Sequence, residues 1–154
     1  MNKKVIVILT LAVFLLLFML MNPYKLIIVR GESMYPTYKN GDILIGKKVD
    51  VLTKGDIVVT KNDFNETIIK RIKYVPGEVY YAAYINTDYN PDYVLIDEKV
   101  YQKLKSENNK NIFLVKDQIP KNQYYITGDN AKNSDDSRRF GSIDKKQILY
   151  KIIR

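Results

Sequence analysis

The chain begins with one kind of hydrophobic pattern and continues with another. From Val5 to Met21 every residue is apolar except Thr10, a run of 17. As a helix at ~1.5 Å per residue the run measures about 25 Å, close to the ~30 Å hydrocarbon core of a bilayer. Leu26-Ile27-Ile28-Val29 extends the apolar character, but Asn22, Pro23 and Lys25 interrupt it. Lys3 and Lys4 precede the run, and a short basic flank stays on the cytoplasmic side. The run is longer than the ~7–15 residues of a cleaved secretory signal, and Met21-Asn22-Pro23-Tyr24 offers no small-x-small exit. The pattern therefore predicts a cytoplasmic N-terminus over 1–4, a retained single-pass anchor over 5–21 and an external domain over 22–154.

Past the anchor the rhythm shortens to that of strands. Asp42–Gly46, Asp56–Lys61, Thr67–Val75, Val79–Tyr84, Ile112–Val115, Tyr124–Thr127 and Gln147–Ile153 are short runs rich in Ile, Val, Thr and Tyr. Turn chemistry separates them at Asn40-Gly41, Lys54-Gly55, Pro76-Gly77 and Gly128-Asp129-Asn130. Seven such strands predict a mainly β domain, a small sandwich or coiled, barrel-like sheet. The stretch Asn86–Lys110 is polar, with a short helix expected over Lys99–Lys105.

Composition changes this picture mostly by exclusion. The chain has no Cys, hence no disulfide, thiol nucleophile or thiolate metal site, and no His, hence no imidazole base. A hydrolase built from these residues takes its base from Lys, Asp, Glu or Tyr. The formal charge is +8; all 17 acidic residues and 23 of the 25 basic ones follow Met21, leaving the external part at +6. That balance suits an anionic lipid surface, and equally an ordinary solvated one.

Three segments carry candidate chemistry. In Gly31-Glu32-Ser33-Met34-Tyr35-Pro36-Thr37, Pro36 lacks an N–H and favours a strand exit or turn that could present Ser33. In the expected strand Thr67–Val75, alternation puts Ile68, Lys70, Ile72 and Tyr74 on one face and Ile69, Arg71, Lys73 and Val75 on the other. Lys70 then sits among apolar neighbours. A general base must be neutral, and a free lysine is only ~0.1% neutral near pH 7.5, whereas burial lowers a lysine pKa. The third segment, 128–141, is dense in Asn, Asp, Ser and Gly and can orient a lysine or arginine through local turns. It lacks the order of an EF-hand calcium loop, and no glycine-rich phosphate loop is present. Each segment alone is also what an ordinary surface loop or sheet lysine looks like.

Together, and in order, these segments resemble the type I signal peptidases, membrane-bound serine proteases that use lysine as base. The resemblance runs from the anchor to the C-terminus. It is carried by Ser33-Met34-Tyr35-Pro36-Thr37, by Gly55-Asp56-Ile57-Val58-Val59, by Lys70-Arg71-Ile72 with Pro76-Gly77-Glu78, and by Gly128-Asp129-Asn130 followed by Ser134, Asp136-Ser137-Arg138 and Phe140-Gly141. It implies Ser33 as nucleophile and Lys70 as general base. Ser134 is expected to hydrogen-bond the Lys70 amine, Asp136 and Arg138 to form a supporting ion pair, and Asp129 and Asn130 to shape the same loop. The family's coiled β-sheet core is the implied fold. The implied substrates are secretory preproteins with small residues before the cut, typically Ala-x-Ala, and the implied location is the bacterial plasma membrane with the catalytic domain outside. Membrane lipid is an expected partner; nucleic acid, metal and cofactor are not. Where some relatives carry a Ser that helps bind the oxyanion, this chain has Gly31. The alternatives are a membrane-tethered binding module or pilus-assembly chaperone, and a self-cleaving Ser–Lys protease.

Overall fold

The computed structural model describes residues 3–21, 23–62, 64–85 and 94–153. Part of the polar stretch, 86–93, lies outside the described residues. The apolar run forms helix α1 (Lys3–Met21), 19 residues long. At ~1.5 Å per residue it is about 28 Å long. Among the described residues no helix is long and apolar enough to cross a membrane. From Val5 to Leu15 every side chain is exposed, so among the described residues nothing covers the apolar surface of that part of α1.

The remainder is mainly β. The strands are β1 (Tyr24–Ile28), β2 (Ile43–Lys47), β3 (Ile57–Lys61), β4 (Thr67–Tyr74), β5 (Val79–Ile85), β6 (Val94–Ile96), β7 (Ile112–Gln118), β8 (Gln123–Thr127), β9 (Ile143–Asp144) and β10 (Ile148–Ile153). The helices α2 (Glu98–Glu107) and α3 (Ser137–Phe140), with short 3-10 turns at Ala131–Asn133 and Lys145–Gln147, complete the described elements. All seven strands expected from the sequence are present within a few residues of their expected bounds, and the expected helix over 99–105 is the middle of α2. Leu26–Ile28, apolar but set apart from the anchor by Asn22, Pro23 and Lys25, belongs to β1, which pairs antiparallel with β2.

Seven strands form one curled sheet in the order β1-β2-β10-β3-β4-β8-β9, and β6-β5-β7 form a second sheet carrying α2. Every strand pairing is antiparallel. The last strand, β10, runs between β2 and β3 and closes the large sheet in its middle. Residues of β3 alternate between two packed layers. Val58 joins Leu52, Ile72, Tyr124, Ile126 and Ile143 on one side; Ile57 and Val59 join Met34 and Ile152 on the other. Each fully buried Val, Ile or Met stabilises the fold by roughly 1.5–3 kcal/mol relative to exposure. β3 and β4 are thus held from both sides, which is what allows a side chain on β4 to be placed accurately.

The alternation expected along β4 holds through Ile72. Val58 pairs with Lys70, and Val59 with Ile69, so Lys70 shares its face with Val58 and Ile72 while Ile69 packs in the other layer. It fails at the end of the strand. The register against β8 shifts between Ile72 and Tyr74, and Val75 packs with the Val58 and Ile72 layer instead of following Ile69 and Arg71. A bulge adds one residue to the pleat and reverses the facing of everything beyond it.

Candidate active site

Ser33 lies in a turn immediately after β1. The Tyr35 N–H bonds the Glu32 carbonyl (3.0 Å), the Tyr38 N–H bonds the Met34 carbonyl (2.9 Å), and the Tyr35–Pro36 peptide is cis. Met34, 2% exposed, plugs the turn into the layer of Ile57, Val59 and Ile152. The neighbouring Ser33 points away from that plug towards β4, where the Lys70 amine donates to its Oγ at 2.8 Å. Lys70 is 3% exposed. Burial among apolar groups lowers its pKa, outweighing the attraction of Asp136 and Asp135 that favours the charged form; Arg138 works in the same direction as burial.

The segment 128–138 wraps around this pair. Asp136 is fully buried and accepts from Arg138 through both Nε (2.8 Å) and Nη2 (2.7 Å), from the Gly128 N–H (2.8 Å) and from the Ser134 hydroxyl (2.7 Å). Burial alone would raise its pKa; these donors, Arg138 first, outweigh burial and hold the carboxyl below the ordinary carboxylate range. Its side chain also caps the short α3 by accepting from the Arg138 N–H. The expected Asp136–Arg138 ion pair is therefore present. The expected hydrogen bond between Ser134 and the Lys70 amine is not among those of the described residues, where the Ser134 hydroxyl donates to the buried carboxylate of Asp136. Lys70 donates to Ser33 instead.

Asp129 and Asn130 hold the Ser33 turn. The Asn130 N–H bonds the Ser33 carbonyl at 2.9 Å, and its side-chain amide bonds the Glu32 carbonyl at 3.1 Å. Asp129 accepts a two-pronged bond from Arg71 (2.8 and 2.6 Å) and another from the Thr37 hydroxyl (2.5 Å). Consecutive residues 129 and 130 thereby grip both ends of the turn, and Arg71 ties that grip to the strand carrying Lys70. Arg71 also donates to the Gly55 carbonyl. Sequence reasoning missed Arg71, Thr37 and Ser137. Alternation put Arg71 on the face away from Lys70, which is correct, but nothing local indicates that Asp129 lies there to meet it. Ser137 is buried and its Oγ accepts from the Ile126 N–H at 2.9 Å, stitching the loop to β8. Among the described residues no group of acidic side chains is placed to hold a metal ion.

A buried, pKa-lowered amine in contact with a serine hydroxyl can do proton transfer to and from that oxygen. The chain is also similar to known proteins. The family model described as "Signal peptidase, peptidase S26" matches residues 2–153. A signal peptidase IB of Staphylococcus aureus is 34% identical over 155 aligned positions, covering 86% of this chain and 76% of the relative. A signal peptidase I P of Bacillus subtilis subsp. natto is 33% identical, covering 95% and 82%. A crystal structure of a signal peptidase I from Enterococcus faecalis covers 70% of this chain and all of its own, with 22% identity and a TM-score of 0.44, too low to carry weight.

One glycine reports on how tightly the site is assembled. A Cβ on Gly128 would lie 2.2 Å from Ser134 Oγ and 2.5 Å from the Ser33 carbonyl oxygen. The second neighbour is backbone and cannot swing aside. Gly128→Ala is expected to push the Ser33 turn off the loop, destabilising the protein by about 1–3 kcal/mol and lowering turnover well beyond what that stability loss explains. Thermal unfolding and steady-state cleavage of the same preparation check this. Wild-type turnover in the Ala variant would contradict the packing described.

Proposed function

The chain belongs to the signal peptidase family, peptidase S26, and is a serine endopeptidase that cleaves signal peptides from secreted preproteins; from that premise we propose that Ser33 is its nucleophile, Lys70 its general base and α1 its membrane tether. The observation that carries the proposal is the 2.8 Å contact between the Lys70 amine and Ser33 Oγ, with Lys70 almost wholly removed from water. In the neutral state the amine takes the Ser33 proton as Oγ attacks the scissile carbonyl carbon. The resulting ammonium then protonates the departing amine, and the carbon–nitrogen bond breaks to leave an acyl-serine. Lys70, neutral again, deprotonates water; hydroxide attack on the ester releases the signal peptide and returns the proton to Ser33 Oγ. The Ser33 N–H, which makes no hydrogen bond among the described residues, is available to the oxyanion. Asp136 and Arg138 support the loop behind the lysine, and Ser134 acts through Asp136.

Two features favour the membrane. α1 exposes an apolar surface, and its length falls only slightly short of a bilayer core, a mismatch that bilayer thinning and snorkelling of Lys3 and Lys4 accommodate. Two residues beyond α1, β1 pairs with β2 so that Tyr24, Leu26 and Ile28 stand beside Lys47, Ile45 and Ile43 on one face. The five apolar members of that face are all exposed. A face of this kind suits the lipid surface from which a signal peptide emerges, and small residues before the cut, Ala-x-Ala, suit the family's cleavage rule.

Lys70→Ala is expected to lose cleavage of an Ala-x-Ala preprotein as thoroughly as Ser33→Ala, at least the ~10²–10⁴-fold ascribed to general-base catalysis. Each variant should remain folded by circular dichroism, and an exposed α2 lysine, Lys99→Ala, should cleave normally. Near-normal turnover in folded Lys70→Ala would remove this base from the mechanism. For the tether, protease added to intact spheroplasts should digest the domain after Met21 and leave a small α1 fragment protected; full protection of the C-terminal domain would overturn the topology.

A further inference from the structure

Beside the dyad lies an open groove of about 630 Å³. Its wall nearest the nucleophile is Gly128, the residue pressed against the Ser33 carbonyl; Val94, Leu95 and Ala131 supply apolar surface, and Lys73 and Lys132 contribute charge. Arg138 also lines it but is engaged by Asp136. Among the described residues no carboxylate lines the groove. Some cations elsewhere in the domain are paired: Lys54 with Glu78, Arg71 with Asp129, Lys151 with Asp56, Arg139 with Asp135. Lys73 and Lys132 are exposed and make no ion pair or side-chain hydrogen bond among the described residues. Two uncompensated cations beside an apolar floor, next to a nucleophile, form a complement to a chain bearing carboxylates.

The two flanks of Ser33 differ in kind. The turn carrying it follows directly from the exposed apolar face of β1 and β2, whereas the groove is built from β4, β6 and the 127–132 segment. A preprotein at the cut has the same asymmetry, with an apolar signal peptide before the scissile bond and a polar mature chain after it. Matching like to like, we infer that the groove receives the first residues of the mature chain and that Lys73 and Lys132 select substrates with Asp or Glu within about four residues after the cut. This inference rests on the signal-peptidase mechanism proposed above. At about 3.3 Å per extended residue, four residues reach roughly 13 Å from the scissile carbonyl.

The test uses the full chain in detergent micelles and three peptides that share one Ala-x-Ala signal segment and differ only after the cut, with two Asp, two Asn or two Lys at the second and fourth positions. In the parent enzyme kcat/KM should be highest for the Asp peptide and lowest for the Lys peptide, with the Asp-to-Lys ratio shrinking as salt is raised. Lys73→Glu with Lys132→Glu should invert the order, shifting the Asp-to-Lys ratio by at least tenfold, since a surface charge pair contributes about fivefold. Because the ratio is read within each protein, a general loss of activity does not disturb it. For a variant too slow to assay, peptide affinity on a Ser33→Ala background gives the same comparison. An unchanged ratio in the double variant, or an equal effect when the Asp pair is moved before the cut, would overturn the inference. Failure of the parent to cut any of the three would count against the proposed function, whereas cutting all three equally would count against the groove alone.

Discussion

A lysine removed from water and given no carboxylate of its own is expensive to keep charged, and the structure around residue 70 is organised by that constraint. Among the described residues the amine reaches one hydrogen-bonding partner, Ser33 Oγ. The nearest strong negative charge, on Asp136, is held by Arg138, by the Gly128 N–H and by Ser134. Had Asp136 bonded Lys70 directly, the pair would have favoured an ammonium with no affinity for a proton. Occupying the carboxylate with an arginine keeps it ionised and structurally useful while sparing the lysine.

Accuracy at the Ser33–Lys70 contact depends on three segments far apart in sequence. Met34 seats the turn, the two core layers seat β4, and the Asp129–Arg71–Thr37 cluster locks the two together with the 128–138 segment. Gly128 is the narrowest point of this assembly, where only a hydrogen fits between Ser134 and the Ser33 backbone. The second sheet, β6-β5-β7 with α2, meets the first through Tyr80, whose ring packs against Tyr74 of β4 and Tyr125 of β8, and it supplies the Val94–Leu95 rim of the adjoining groove.

Much of this was legible in the sequence because it is local. Alternation of apolar and polar residues located seven strands, and it put Lys70 on the face of Ile68 and Ile72 without reference to any partner. Four things were not legible. The bulge at Lys73 reversed Val75, since a one-residue slip in pairing leaves no trace in a period-two pattern. β1 was hidden behind the apolar character it shares with the anchor. The destination of the Ser134 proton depended on which acceptor was buried beside it, a question only tertiary packing answers. Arg71 belongs with these: its partner is 58 residues away.

The central claim is that Lys70 is neutral at working pH because the protein buries it. It is tested most directly by following the Lys70 ε-methylene carbon by NMR in the folded chain, with its signal assigned by its absence in Lys70→Ala. Burial favours the uncharged amine, so the proton should leave at a lower pH than in an exposed lysine, with a titration midpoint below the ordinary value of 10.5, and activity should rise with pH through the same midpoint. A midpoint at or above 10.5 would mean that the amine is charged where the enzyme works, and the account of Lys70 as base would be wrong.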